Sequence, residues 1–173
     1  MNKKVMLLGS ILALSAFALL AQEKESSKTS GKAGANTTAT TEHKIFTTSD
    51  MQWGDAPPGL PAGGKMAVLD GDPTKKGSFT VRLQAPDGYK IQPHTHPTAE
   101  RVTVISGTLH MGMGDKFDEA AMREMAPGSF VVLPARMSHY VRTSGDTVVQ
   151  IHSEGPFEIK YVNPADDPRT AKK

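Results

Sequence analysis

The stretch GYKIQPHTHPTAERVTVISG, residues 88 to 107, sets His94 and His96 one residue apart and places Glu100 four positions further on. In an extended chain, residues two apart project from the same face, so both imidazoles can reach one ion. Pro93 and Pro97 hold the residues before them, Gln92 and His96, in extended backbone and stiffen the pair. Glu100 shares the parity of His96 where the chain stays extended or curls only briefly. A His-X-His pair alone is a weak signal, because six histidines in 173 residues give one by chance in about one chain of five.

The elements that must carry these residues are short apolar runs broken by Gly, Pro and Asp: KMAVLDGDP, SFTVRLQAPDG, RVTVISG, SFVVLPA, HYVRTSGD, TVVQIHSEGP and FEIKYVNP. Such spacing predicts many short strands with tight turns, hence an all-β antiparallel barrel or sandwich. The segment DKFDEAAMREM, 115 to 125, breaks the pattern and reads as a turn of helix or an irregular excursion between strands. Met111, Met113, Met122, Met125 and Met137 read as flexible core filling rather than as thioether ligands.

Gly88, His94, His96, Glu100 and Gly107 stand at the spacing of the first motif of the cupin superfamily, which this chain resembles at every marked position. A second stretch, GSFVVLPARMSHYVRT, resembles the second cupin motif through Gly128, Pro134 and His139. It departs from the pattern at Arg136, where glycine often stands, and at Thr143, where asparagine often stands. The resemblance extends to small single-domain bacterial cupins of mostly unassigned function, and implies a cupin-type jelly-roll β-barrel.

It also implies that His94, His96, Glu100 and His139 bind one divalent transition metal per chain inside the barrel. Three imidazoles and one carboxylate suit Zn, Cu, Mn, Fe, Co or Ni and do not suit the all-oxygen preference of Ca or Mg. Four ligands on a six-coordinate ion leave two positions open for water, oxygen or substrate. Parity along the strand of the second motif turns His139, Met137 and Val141 inward and Arg136, Tyr140 and Arg142 outward. Counting from Glu100 puts Val102 and Val104 inside, so the surroundings of the metal are expected to be apolar. His110 and His152 are expected to be ordinary strand residues, with a supporting hydrogen bond to a ligand as the alternative; His43 is expected to be solvated.

Before the barrel, MNKKVMLLGSILALSAFALLA, residues 1–21, has two lysines, an apolar run and small residues at Ala16, Ala18 and Ala21, the layout of a secretory signal peptide, with a membrane anchor as the competing reading. Residues 22–42 hold no large apolar side chain and read as a disordered polar linker, so the cupin domain is expected over 43–173. The chain has no cysteine, which excludes disulfides, thiolate ligands and a lipidated cysteine. Loss of Lys3 and Lys4 with the leader balances the 20 basic residues against the 18 acidic ones. A near-neutral mature protein gives no reason to expect nucleic acid or an anionic membrane as partner. The expected location is periplasmic or secreted, and a homodimer with exchanged N-terminal arms is an assembly the family allows.

Two functions follow as expectations. One is a metal-dependent enzyme of the cell envelope acting on a small organic molecule, by dioxygenase-like or by isomerase or lyase chemistry, with Glu100 as both ligand and catalytic group. The other is a non-catalytic module that holds or senses a metal or small ligand. Fold alone does not choose between them.

Overall fold

Alternating apolar side chains make this chain a set of two-faced strands, and the computed structural model shows how they curl around one core. It describes residues 43–170; the leader and linker readings fall outside the described residues. His43 begins the unit that holds every strand named below, and it is exposed. Among the described residues no helix is long and apolar enough to cross a membrane.

The strands in chain order are β1 (Gly54–Asp55), β2 (Lys65–Asp70), β3 (Gly77–Ala85), β4 (Lys90–Thr95), β5 (Glu100–Met113), β6 (Arg123–Met125), β7 (Phe130–Leu133), β8 (His139–Gly155) and β9 (Lys160–Tyr161). All their pairings are antiparallel. β5 and β8 pair with each other along both their halves, from Arg101 with His152 to Met113 with His139. On its other side β8 pairs with β3 through its second half and with β4 through its first, while β5 pairs with β7 near its start and with β6 near its end. Two long shared strands thus belong to two faces of one curled sheet, which is the jelly-roll expected.

The sequence divides these strands where the structure does not. RVTVISG and TLHMGM are one strand of 14 residues, and HYVRTSGD and TVVQIHSEGP are one of 17. Gly107 and Gly145, which read as turn residues, are instead corners at φ 74° and 68° where the paired strands bend together. A Cβ on Gly107 would collide with the Asp146 carbonyl oxygen, so glycine is required there for contact as well as for torsion.

Inward-facing Val81, Leu83, Ile91, Val102, Val104 and Ile151, with Met111 and Met125, build the core. Each such side chain contributes roughly 1.5–3 kcal/mol on burial. The excursion after β5 forms a short 3-10 turn, Glu119–Ala121, followed by β6. It lies over the outer side of β8: Phe117 packs at 5.1 Å from the Tyr140 ring, and the Tyr140 hydroxyl donates to the Asp118 carbonyl. Tyr140 does face away from the barrel interior, as its parity predicts, and the excursion leaves it only 1 % exposed. Met137 corrects the parity argument. β8 begins at His139, so Met137 belongs to the preceding turn and is 41 % exposed rather than turned inward.

Candidate metal centre

Three strands and one loop converge on the predicted ligands. His94 lies on β4 directly opposite His139 on β8, with ring centroids 4.2 Å apart. Strict alternation would separate Ile91 and His94 onto opposite faces, yet both are buried; a register shift in β4 between these two residues brings both inside. His96 stands one residue past the end of β4, at the start of the loop leading to β5, so strand parity is not what aims it. Glu100 is the first residue of β5 and pairs with Leu133 on β7.

The loop is fastened from both sides. Thr98 Oγ1 donates to the Glu154 carbonyl and Ser153 Oγ donates to the Ala99 carbonyl, which ties the loop to the end of β8. The Arg136 N–H donates to the His96 carbonyl at 2.8 Å, joining the turn before β8 to the same loop. Arg136 takes the left-handed conformation, φ 65°, that a glycine would occupy without strain, so the turn is kept despite the substitution. Thr143 also keeps a defined role. Its Oγ1 accepts from the Tyr89 N–H and donates to the Pro86 carbonyl, locking the turn between β3 and β4 onto β8.

All four predicted residues are buried: His94 and His139 are 3 % exposed, Glu100 5 % and His96 7 %. The Nδ1 atoms of His94, His96 and His139 meet the backbone carbonyls of Gln92, Glu158 and Met137 at 2.7, 2.7 and 3.1 Å. A carbonyl only accepts, so each Nδ1 carries a proton and a neutral ring presents its lone pair at Nε2. The three histidines form a group whose ligand atoms lie within 4.8 Å of one another, and such a group is able to hold a metal ion. Glu100 Oε2 lies 3.6 Å from His96 Nε2 and 3.4 Å from His139 Nε2.

Where a ring is neutral, such an approach sets carboxyl oxygen against an imidazole lone pair, an arrangement that a cation between them satisfies. A proton is disfavoured on two of the rings. Burial, then the neighbouring His139 and His96, hold His94 well below the usual imidazole range. His96 is also lowered, since its burial outweighs the pull of Glu100 toward the charged form. Its proximity to Glu100 is therefore no ordinary ion pair. Neutral imidazoles with fixed tautomers and one carboxylate fit a divalent transition metal.

The segment after β8 completes the surroundings. Phe157 stacks on His96 with centroids 4.3 Å apart and planes 15° off parallel, and Tyr161 on β9 pairs with His94 across the strands. The Tyr161 hydroxyl donates to the Gly59 carbonyl and burial raises its pKa to about 12, while the Tyr89 hydroxyl donates to the Pro61 carbonyl. Two tyrosines thus pin the Gly- and Pro-rich loop before β2. His110 and His152 contact no ligand: His110 Nε2 lies 3.0 Å from Ser144 Oγ, and His152 Nδ1 lies 2.8 Å from Thr80 Oγ1. Arg82 and Gln150 bond to each other beside His152, away from the centre. Behind the histidines lies a cavity of about 50 Å³ walled mostly by aliphatic side chains.

A jelly-roll barrel with buried histidines from paired strands at its centre is the cupin fold, and the solved structures agree. RemF, a polyketide cyclase from Streptomyces resistomycificus, matches with a TM-score of 0.61 at 16 % identity, covering 74 % of this chain and 91 % of that one. KdgF from Halomonas sp. matches at 0.51 and 18 % identity over 66 % of this chain and 96 % of its own. An RmlC-like cupin from Shewanella frigidimarina matches at 0.51 and 13 % identity over 65 % and 91 %. At these identities the likeness is one of fold. The chain belongs to the family described as Domain of unknown function (DUF4437), whose model matches residues 24–160. No protein of curated function matches it.

Proposed function

We propose that this protein is an exported cupin whose His94, His96, Glu100 and His139 hold one divalent transition metal, and that it acts as a metal-dependent enzyme on a small organic molecule. The observation that carries the metal reading is the set of three Nδ1-to-carbonyl hydrogen bonds in one buried histidine cluster, with Glu100 Oε2 3.6 Å from His96 Nε2 and 3.4 Å from His139 Nε2. A bound metal would supply Lewis acidity and open positions for substrate or oxygen. The chain itself fixes the ring orientations and keeps His94 and His96 neutral. Among the described residues Glu100 is the one carboxylate that lines the cavity, and it is placed to move a proton there. RemF, named as a cyclase, supports the reading that this fold hosts chemistry on small organic molecules.

The non-catalytic reading draws on a different observation. The hydroxyls of Thr143 and Thr147 that border the cavity are already bonded to backbone, so among the described residues that line it Glu100 has no second acid or base beyond the histidines themselves. A module that only holds a metal or ligand needs none.

The experiment is paired. Elemental analysis of protein taken from the cell envelope without metal-shedding resins is expected to give close to one transition metal per chain, with Zn or Cu dominant. That expectation follows from the affinity order of an imidazole-rich site folded outside the cytoplasm. His96→Ala should lose the metal. Oxygen uptake and conversion of a small-molecule panel should then depend on metal and fall at least about a hundredfold in Glu100→Gln, the scale of a general acid–base contribution. Metal without turnover on any substrate selects the binding module; equal metal in His96→Ala and parent removes the site.

A further inference from the structure

The cavity behind the histidines is walled by Leu83, Ile91, Val102, Leu109, Met111 and Val141, and among the described residues no Lys, Arg, Asn or Gln lines it. Its few polar side chains away from the histidines are engaged. Thr143 Oγ1 accepts from Tyr89 N–H and donates to Pro86 O. Thr147 Oγ1 accepts from Thr108 N–H and lies within hydrogen-bond distance of the Thr108 and Gly145 carbonyls. The Tyr89 hydroxyl donates outward to Pro61 O. The groups left for a guest are the imidazole Nε2 atoms and the Glu100 carboxylate, all at one end.

We infer that the cavity takes a small neutral molecule that is apolar except at one end, with that end toward His94, Glu100 and His139, and that it rejects polyols, sugar acids and dicarboxylates. A second hydroxyl or carboxylate on the guest would lie among methyl groups with no partner, a loss of roughly tenfold or more in affinity for a neutral group and greater for a charge. The cavity is small, with about 50 Å³ of space for the centres of water-sized atoms, so the buried part of the guest is short. Met111, unbranched and flexible, is the wall residue best able to shift for a longer one. The inference deepens the metal-site reading and rests on it only for what meets the guest's polar end.

The test compares 1-propanol with ethylene glycol, which have the same number of heavy atoms and differ by a methyl or a hydroxyl at the far end. Methyl-labelled protein, chelator-treated and zinc-loaded, is titrated with each, and the signals of Ile91, Val102, Leu109 and Met111 are followed. 1-Propanol is expected to shift them with an apparent Kd at least tenfold below that of ethylene glycol in both forms, and xenon-pressurised crystals should show xenon among the same side chains. Equal affinity for the two alcohols, or shifts confined to surface methyls, overturns the inference. Zinc content is measured on the same samples. Absence of zinc with the tenfold preference intact removes the metal reading and sustains the cavity; bound zinc without the preference does the reverse.

Discussion

An imidazole whose Nδ1 proton is held by a carbonyl has one lone pair to offer and one direction to offer it in, and three of them here share that condition. The same burial that keeps His94 and His96 neutral makes the metal-free fold sensitive to acid. Both folded-state pKa values lie below the unfolded value of 6.5. Below about pH 6.5 the unfolded chain takes up protons that the native one does not, so native stability is complete above that pH and is lost as pH falls toward the folded values. Urea unfolding of the chelated protein should show a midpoint falling steadily from pH 7 to pH 5, by up to ~1.4 kcal/mol per pH unit for each group. His94→Gln should flatten the slope; a parent midpoint independent of pH across this range would contradict the neutral, buried rings. The histidines were legible in the sequence because side-chain type and spacing are written there. Their carbonyl partners at Gln92, Met137 and Glu158 were not, because every residue has a carbonyl and nothing in its identity marks which one will be used.

At the scale of elements, the turn between β7 and β8 carries both a fault and its remedy. Arg136 is exposed, sits at φ 65°, and its N–H supports the loop of His96. A left-handed non-glycine residue costs roughly 1–2 kcal/mol. Arg136→Gly relieves this while adding about 0.4–1 kcal/mol of unfolded-chain entropy. The net expectation is a gain of up to about 1 kcal/mol by denaturant unfolding, with metal content unchanged; a loss of stability would mean that the arginine side chain contributes more than its backbone costs. The strands themselves were read well in type and less well in extent. Apolar alternation announced β3, β5, β7 and β8. Gly107 and Gly145 mimic turn residues because a corner in a bent strand and a reverse turn ask for the same positive φ. Parity failed at Met137 because alternation has no meaning outside a strand, whereas His96 joins His94 as expected although β4 has already ended.

For the whole molecule, the proposed ligands come from β4, the following loop, β5 and β8, so an ion bound to them ties separate parts of the barrel together. Binding to the native state alone stabilises it by about 4 kcal/mol at a thousandfold excess over Kd. For a domain of this size that is a Tm shift on the order of 10 °C. Chelation of the metal-loaded protein should lower Tm by that much and readdition should restore it, as read by scanning calorimetry. His96→Ala should show neither change. A parent Tm indifferent to chelator while metal leaves would mean that the histidine cluster is equally well satisfied empty. The fold class was legible at this scale because two motifs fixed it; the size and lining of the cavity were not, since they depend on how strands far apart in the chain close around it.

The hydrogen bond from His96 Nδ1 to the Glu158 carbonyl spans 62 residues, and that span is also an interval of time. A ribosome adding about 5–20 residues per second reaches residue 158 roughly 3–12 s after His96. Until then no carbonyl from that segment exists to claim the Nδ1 proton, and the ring is free to present either nitrogen. The ligand nitrogen of His96 is thus settled only after Glu100 and His139 have been made, and a chain that folds after export meets its ion with that carbonyl already in being.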